Sequence, residues 1–150
     1  MDLFKSRFLL NNIMNIIFKE ICEMVNFDMK ILVVDDYATM QKIIRNLLGQ
    51  IGFKNIELAS DGAMALQVMK ETKIDMVITD WNMTPLTGLD LLKAIRADEK
   101  LKDIPVIMIT AESKTENVVV AKQHGVNQYI VKPFTADTLK TKLQSVIGNF

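Results

Sequence analysis

Lys30-Ile31-Leu32-Val33-Val34-Asp35-Asp36 is a continuous apolar run that breaks off in two carboxylates. The pattern recurs downstream: Met76-Val77-Ile78-Thr79 is followed by Asp80, and Tyr129-Ile130-Val131 by Lys132. Short unbroken apolar runs of this kind suit strands of a parallel sheet covered on both faces, and ligands of such sheets sit outside the carboxyl ends of the strands. Three carboxylates and one amine are therefore predicted to converge on one site. Carboxylates gathered without a counter-ion repel one another and lose solvation, so the arrangement asks for a divalent cation.

Outward from these runs the chain alternates between strand and helix signals. Strands are predicted over Lys30–Val34, Asn55–Ala59, Asp75–Thr79, Val106–Thr110 and Gln128–Val131. Helices are predicted over Thr39–Ile51, Gly62–Glu71, Gly88–Ala97, Thr115–His124 and Thr135–Ile147. The first of these helices places Met40, Ile43, Ile44, Leu47, Leu48 and Ile51 on the 3.6-residue period, and Gly52 supplies its stop. Five strand–helix repeats with short connections imply an α/β fold, a doubly wound five-stranded parallel sheet with right-handed crossovers.

Several chemistries are excluded. The turn after the first strand, Asp35-Asp36-Tyr37-Ala38-Thr39, has neither the glycines of a dinucleotide fingerprint nor those of a P-loop. The single histidine, His124, rules out a Ser-His-Asp set beyond itself; it stands beside Gly125 at a helix end, where the helix dipole favours a cation. Lysine plus arginine and aspartate plus glutamate are equal at 18 each, so no overall basic field exists to hold nucleic acid. Cys22 is the one cysteine of the 150 residues, cannot form an internal bridge, and fits a reducing, cytoplasmic setting.

Residues 1–28 read as an N-terminal extension to a domain of residues 29–150. Phe4, Phe8, Leu9, Leu10, Ile13, Ile16, Ile17, Phe18 and Ile21 form an apolar helical stripe interrupted by Lys5, Arg7, Asn11, Asn12, Asn15, Lys19 and Glu20. That is too polar and too short for a spanning helix, so no stable membrane insertion is expected, and no signal-peptide cleavage chemistry is present. Three readings stay open: a start at Met29, an amphipathic helix docking on the domain or a partner, and a surface membrane anchor.

Val33-Val34-Asp35-Asp36, Asp80-Trp81-Asn82-Met83, Thr110-Ala111-Glu112 and Lys132-Pro133-Phe134 fall at successive strand ends. In that order they resemble the phosphoacceptor receiver domains of two-component response regulators, over about Met29 to Phe150. Asp80-Trp81-Asn82-Met83, Ala94-Ile95-Arg96-Ala97-Asp98 and Val131-Lys132-Pro133-Phe134-Thr135 resemble more narrowly the CheY-like chemotaxis branch of that family. The resemblance implies a flavodoxin-like sheet of strand order 2-1-3-4-5. Adjacent strands then lie about 4.8 Å apart, which puts Asp36 and Asp80 within reach of one ion; Lys132 has roughly 10 Å to bridge.

By the same resemblance Asp80 is the phosphorylation site, accepting a phosphoryl group from the phosphohistidine of a CheA-like histidine kinase. Mg²⁺ would be held by Asp35, Asp36, Asp80 and the main-chain carbonyl of Asn82, with Lys132 facing the phosphoryl oxygens; three negative charges then meet three positive ones. Thr110 and Tyr129 are the implied switch: Thr110 turns its hydroxyl to the phosphoryl group and Tyr129 moves inward. The face carrying Glu116, Asn117, Val118, Tyr129 and Lys142 would change shape as a result. With no DNA-binding or enzymatic module after Phe150, the expected output is binding to a partner, which in CheY-like proteins is the flagellar motor switch. The chain is thus expected to be a signalling phosphoacceptor that takes part in its own phosphotransfer and autodephosphorylation, not an enzyme with a separate substrate.

The loop Met83-Thr84-Pro85-Leu86-Thr87-Gly88 departs from the family pattern, with proline one residue later than in well-known members and Thr87 where an acid precedes the glycine. That puts a carried-over contact with a possible phosphatase in doubt. Two other functions compete: a phosphorelay intermediate or phosphate sink without motor binding, and a Mg²⁺-dependent phosphohydrolase with an Asp nucleophile. The latter wants a second aspartate two residues after the nucleophile, and Tyr37 stands there instead.

Overall fold

The computed structural model describes residues 3–148 and 150, with the backbone alone described for residues 21–26. A long helix, α1 (Leu3–Val25), and a single 3-10 turn (Asn26–Asp28) lead into β1 (Lys30–Val34). There follow α2 (Ala38–Ile51), β2 (Asn55–Ala59), α3 (Gly62–Glu71), β3 (Met76–Thr79), α4 (Gly88–Ala97), β4 (Val106–Thr110), α5 (Thr115–Gln123), β5 (Gln128–Val131) and α6 (Ala136–Ile147). The five strands form one parallel sheet in the order β2-β1-β3-β4-β5.

Successive strand side chains point to opposite faces, and here both faces are covered. Leu32, Val34, Val77, Met108 and Tyr129 face Ala65 and Met69 of α3, Leu91, Leu92 and Ile95 of α4, and Ala121 of α5. On the other face Ile31, Val33, Ile78, Ile107 and Ile109 meet Ile44 and Leu48 of α2 and Leu139 and Leu143 of α6. This is why the central strands read as unbroken apolar runs: β1 has four fully buried residues in succession, and β3 and β4 are buried throughout. The edge strands β2 and β5 are more exposed.

Where boundaries differ from expectation, side chains explain the shift. Asp75 stands before β3, not in it, because its carboxylate accepts a 2.8 Å hydrogen bond from the Lys30 amide at the start of β1. Thr135 is the N-cap of α6, its hydroxyl accepting from the Thr138 amide. Gly52 ends α2 at φ 131°, and a side chain there would run into the ring of Phe27, 2.8 Å away. Phe27 in turn packs with Phe53 and Phe150, ring centroids 5.2 Å apart in both cases, so the packed body of the protein extends N-terminal to Met29. Among the described residues no helix is long and apolar enough to cross a membrane.

Candidate functional site

The sheet register delivers the charged residues together. Val34 pairs with Thr79, so Asp35 and Asp80 emerge side by side from β1 and β3, and the Asp80 amide donates to the Val34 carbonyl at 3.0 Å. Thr110 pairs with Val131, and the Lys132 amide donates to the Thr110 carbonyl at 2.8 Å. The lysine side chain then reaches back across the strand ends. Its Nζ lies 3.2 Å from Asp35 Oδ2 and 3.5 Å from Asp80 Oδ2.

Carboxylate oxygens of Asp35, Asp36 and Asp80 come within 4.8 Å of one another. Asp35 and Asp80 are buried, at 1% and 9% exposure, while Asp36 faces solvent. Burial pushes the Asp35 carboxyl above the usual aspartate range, and the Asp80 charge adds to that; the Tyr37 amide and Lys132 pull the other way without prevailing. Three carboxylates against one ammonium leave a local surplus of negative charge. Oxygen donors with such a surplus are what Mg²⁺ or Ca²⁺ requires, so the residues present fit the expected ion.

The carboxylates are not helix caps. Tyr37 is the N-cap of α2 and makes no side-chain cap bond, while Asp35 Oδ1 accepts from the Tyr37 amide at 2.9 Å, a short local turn. Asp80 Oδ1 accepts from the Trp81 amide at 2.7 Å and, more weakly, from that of Asn82 at 3.4 Å. The Asp80 turn is also pinned from behind. Gly88, at the start of α4, approaches so closely that a Cβ would lie 1.9 Å from the Asp80 carbonyl oxygen, and its amide donates to Trp81 O at 2.8 Å. Only glycine permits that approach.

Thr110 is fully buried, and its hydroxyl accepts from the Glu112 amide at 3.3 Å. The Tyr129 hydroxyl donates to the Glu112 carbonyl at 2.8 Å, and Asn117 of α5 donates to the Glu112 carboxylate. A continuous polar chain thus leads from the end of β4 to α5 and β5. Burial, together with the charges of Glu112 and Asp80, pushes the Tyr129 phenol up to about 12, so it is a neutral donor. The expected inward movement of Tyr129 meets a ring that is already only 8% exposed. Of the expected output face, Glu116 is exposed on α5, and Lys142 of α6 bonds Gln128 at 3.3 Å.

Two structural roles escaped the sequence reading. Gln41 is buried on the same face of α2 as Ile44 and Leu48, and its amide donates to the carbonyls of Asp35 at 2.6 Å and Ala59 at 3.0 Å, fastening the turn that carries Asp35 and Asp36. The available signal was a polar residue in a core stripe. Thr87 plays the other. Standing where the family pattern has an acid, it forms a reciprocal capping box with Asp90 at the start of α4.

Residues 31–144 match the family described as Response regulator receiver domain. The chain is 57% identical over 122 residues to chemotaxis protein CheY-3 of Vibrio cholerae, covering 81% of this chain and 94% of that one. To chemotaxis protein CheY of Pseudomonas aeruginosa it is 52% identical over 118 residues, with 79% and 95% covered. Among solved structures it is similar to the receiver domain of a sensor histidine kinase from Pseudomonas aeruginosa, in which a magnesium ion is coordinated in the active-site cleft; the TM-score is 0.73 at 30% identity, covering 81% of this chain and 99% of that one. With a family match across most of its length and relatives of more than half identity, this chain belongs to the response regulator receiver domain family.

Proposed function

We propose that the protein is a chemotaxis response regulator that accepts a phosphoryl group on Asp80 from a CheA-like histidine kinase and signals by binding the flagellar motor switch from the cytoplasm. The observation that carries this reading is the convergence of Asp35, Asp36 and Asp80 within 4.8 Å, with Lys132 Nζ 3.2 Å and 3.5 Å from two of them. In the proposed step an Asp80 carboxylate oxygen attacks the phosphorus of a phosphohistidine; the P–O bond forms, the P–N bond breaks with its electron pair going to the ring nitrogen, and the histidine, whose other ring nitrogen keeps its proton, leaves as neutral imidazole. Mg²⁺ bound by Asp35, Asp36, Asp80 and the Asn82 carbonyl would supply the charge that offsets the phosphoryl oxygens. Lys132 pairs with a phosphoryl oxygen in place of its present carboxylate partners.

Phosphorylation adds acceptor oxygens next to the end of β4, and the Thr110 hydroxyl, which now only accepts, is free to donate to one of them. Because Tyr129 already lies inward, the phosphoryl group is proposed to hold that arrangement and shift its population, not to create it. Water attacking phosphorus would later return Asp80 to its free form. Relatives called chemotaxis proteins favour a motor partner over a relay.

The test is affinity for a flagellar motor switch protein, measured with the chain unphosphorylated and phosphorylated. A coupling of about 1–3 kcal/mol predicts roughly 5–150-fold tighter binding when phosphorylated. Lys132→Ala should still take some label yet lose most of that gain. Equal affinity in both states, with the phosphoryl group passed instead to a histidine protein, would replace motor signalling by a relay.

A further inference from the structure

The three carboxylates at the strand ends are not held alike. Asp35 Oδ1 accepts from the Tyr37 amide at 2.9 Å and Oδ2 from Lys132 at 3.2 Å. Asp80 is likewise held at both oxygens, by the Trp81 amide at 2.7 Å and by Lys132 at 3.5 Å. The Asp36 carboxylate faces solvent and, among the described residues, accepts no hydrogen bond and makes no ion pair. Its backbone is its only anchor.

One side chain fixes that backbone. The peptide joining Asp35 to Asp36 is planar, so whatever orients the Asp35 carbonyl also places the Asp36 Cα. Gln41 Nε2 donates to that carbonyl at 2.6 Å and to the Ala59 carbonyl at 3.0 Å. Ala59 O accepts from the Asp35 amide as well, at 3.1 Å, so a single residue of α2 ties the ends of β1 and β2 into one unit. Gln41 is only 9% exposed and shares the buried face of α2 with Ile44 and Leu48. A methionine there would pack on the same neighbours without the cost of burying an amide. The two carbonyls are what the amide answers.

We infer that Gln41 is a positioning residue that acts through Asp36 and tilts the site toward Mg²⁺ relative to Ca²⁺. Only the presence of a divalent cation at the strand ends is taken from the proposed function. Mg²⁺ demands near-octahedral oxygen ligands at about 2.0–2.1 Å, whereas Ca²⁺ takes about 6–8 oxygens at roughly 2.3–2.6 Å in flexible geometry. A carboxylate on a fixed backbone suits the smaller ion, and one on a loosened backbone still serves the larger. Asp35 and Asp80 keep the bonds to their carboxylates when Gln41 is altered, so the loss falls on Asp36.

The experiment titrates the full 150-residue chain with MgCl2 and, separately, with CaCl2, reading Trp81 fluorescence and the rise in denaturation midpoint. Gln41→Met removes both donors at similar length; Gln41→Asn keeps the amide but falls one methylene short. Each should weaken Mg²⁺ binding about tenfold, the low end of what removing a group behind a metal ligand costs. Ca²⁺ binding should weaken less than about threefold, because that ion follows a displaced carboxylate. The ratio of the two affinities is read within one folded variant, so a general loss of stability does not move it. Equal weakening for both ions makes Gln41 a structural residue only and overturns the proposal, as does an unchanged Mg²⁺ affinity. Wild type that responds to neither ion overturns the proposed metal site and this role with it, whereas a wild-type response beside an unmoved ratio in both variants overturns this role alone.

Discussion

The two ends of the sheet treat charge in opposite ways. At the amino ends of β4 and β5 the Arg96 guanidinium engages all five of its N–H groups: with the carbonyls of Gly125, Lys102 and Ile104 and with the Asn127 side chain, which itself accepts from the Val106 amide. At the carboxyl ends, three carboxylates gather beside one ammonium, which pairs with two of them, Asp35 and Asp80. The first cluster is closed: every donor has an acceptor, and nothing is left to bind. The second carries surplus negative charge, partly buried, that a bound cation would offset. A saturated polar cluster organises the fold, whereas an unbalanced one costs stability.

The comparison breaks most visibly if the two clusters are disabled in turn. Arg96→Leu strips a donor from four acceptors at once and should lower unfolding free energy by about 3 kcal/mol, since orphaned partly buried groups cost about 1–3 kcal/mol apiece and some will find water. Its phosphorylation, measured above the folding midpoint, should be retained. Asp80→Asn should do the reverse, removing one of three crowded charges, leaving stability within about 1 kcal/mol or slightly raised in the absence of Mg²⁺, and abolishing labelling. Denaturant titration of both variants checks the pair. Equal stability losses would remove the distinction.

Mg²⁺ sharpens it further. A cation that binds the folded site stabilises by about 1.4 kcal/mol at ten times its dissociation constant, read as a rise in denaturation midpoint. That gain should vanish in Asp36→Ala and persist in Arg96→Leu; adding chelator should return wild type to its cation-free midpoint. Trp81, beside Asp80, offers a fluorescence readout of the same binding.

The smallest effect at neutral pH concerns the polar chain behind the site. The Tyr129 phenol is raised from its ordinary value of 10.0 to about 12, so the folded state holds its proton more tightly than the unfolded. Its contribution to stability is fully present below pH 10 and is lost as pH climbs through 12. Absorbance titration in a Tyr37→Phe background should show no phenolate until well above pH 10. Tyr129→Phe should remove this alkaline loss.

The strands that carry the site were readable because burial on both faces leaves a period-free apolar run, and because a charge abutting such a run has few roles besides facing a ligand. Asp35, Asp36, Asp80 and Lys132 stand out on that ground alone. Strand order came from resemblance, since no local pattern says which strands pair. What the sequence hid were contacts set by tertiary geometry. Gln41 is polar in an apolar stripe but aims at two carbonyls that only the fold brings near, and the Arg96 fork reaches acceptors up to 31 positions away. The inward seat of Tyr129 likewise depends on the Glu112 carbonyl, which no spacing in the chain announces.

The central claim is that the unbalanced cluster at the carboxyl ends is a phosphoacceptor with Asp80 as its nucleophile, and the most direct measurement is peptide mapping after exposure to a small acyl phosphate. Wild type with Mg²⁺ should carry one acid-stable, base-labile phosphoryl group on the peptide containing Asp80, decaying with time, and none when a chelator is present. Asp80→Asn should remain folded and unlabelled. Labelling of that variant at the wild-type rate, or a wild-type label on another residue, would contradict the assignment.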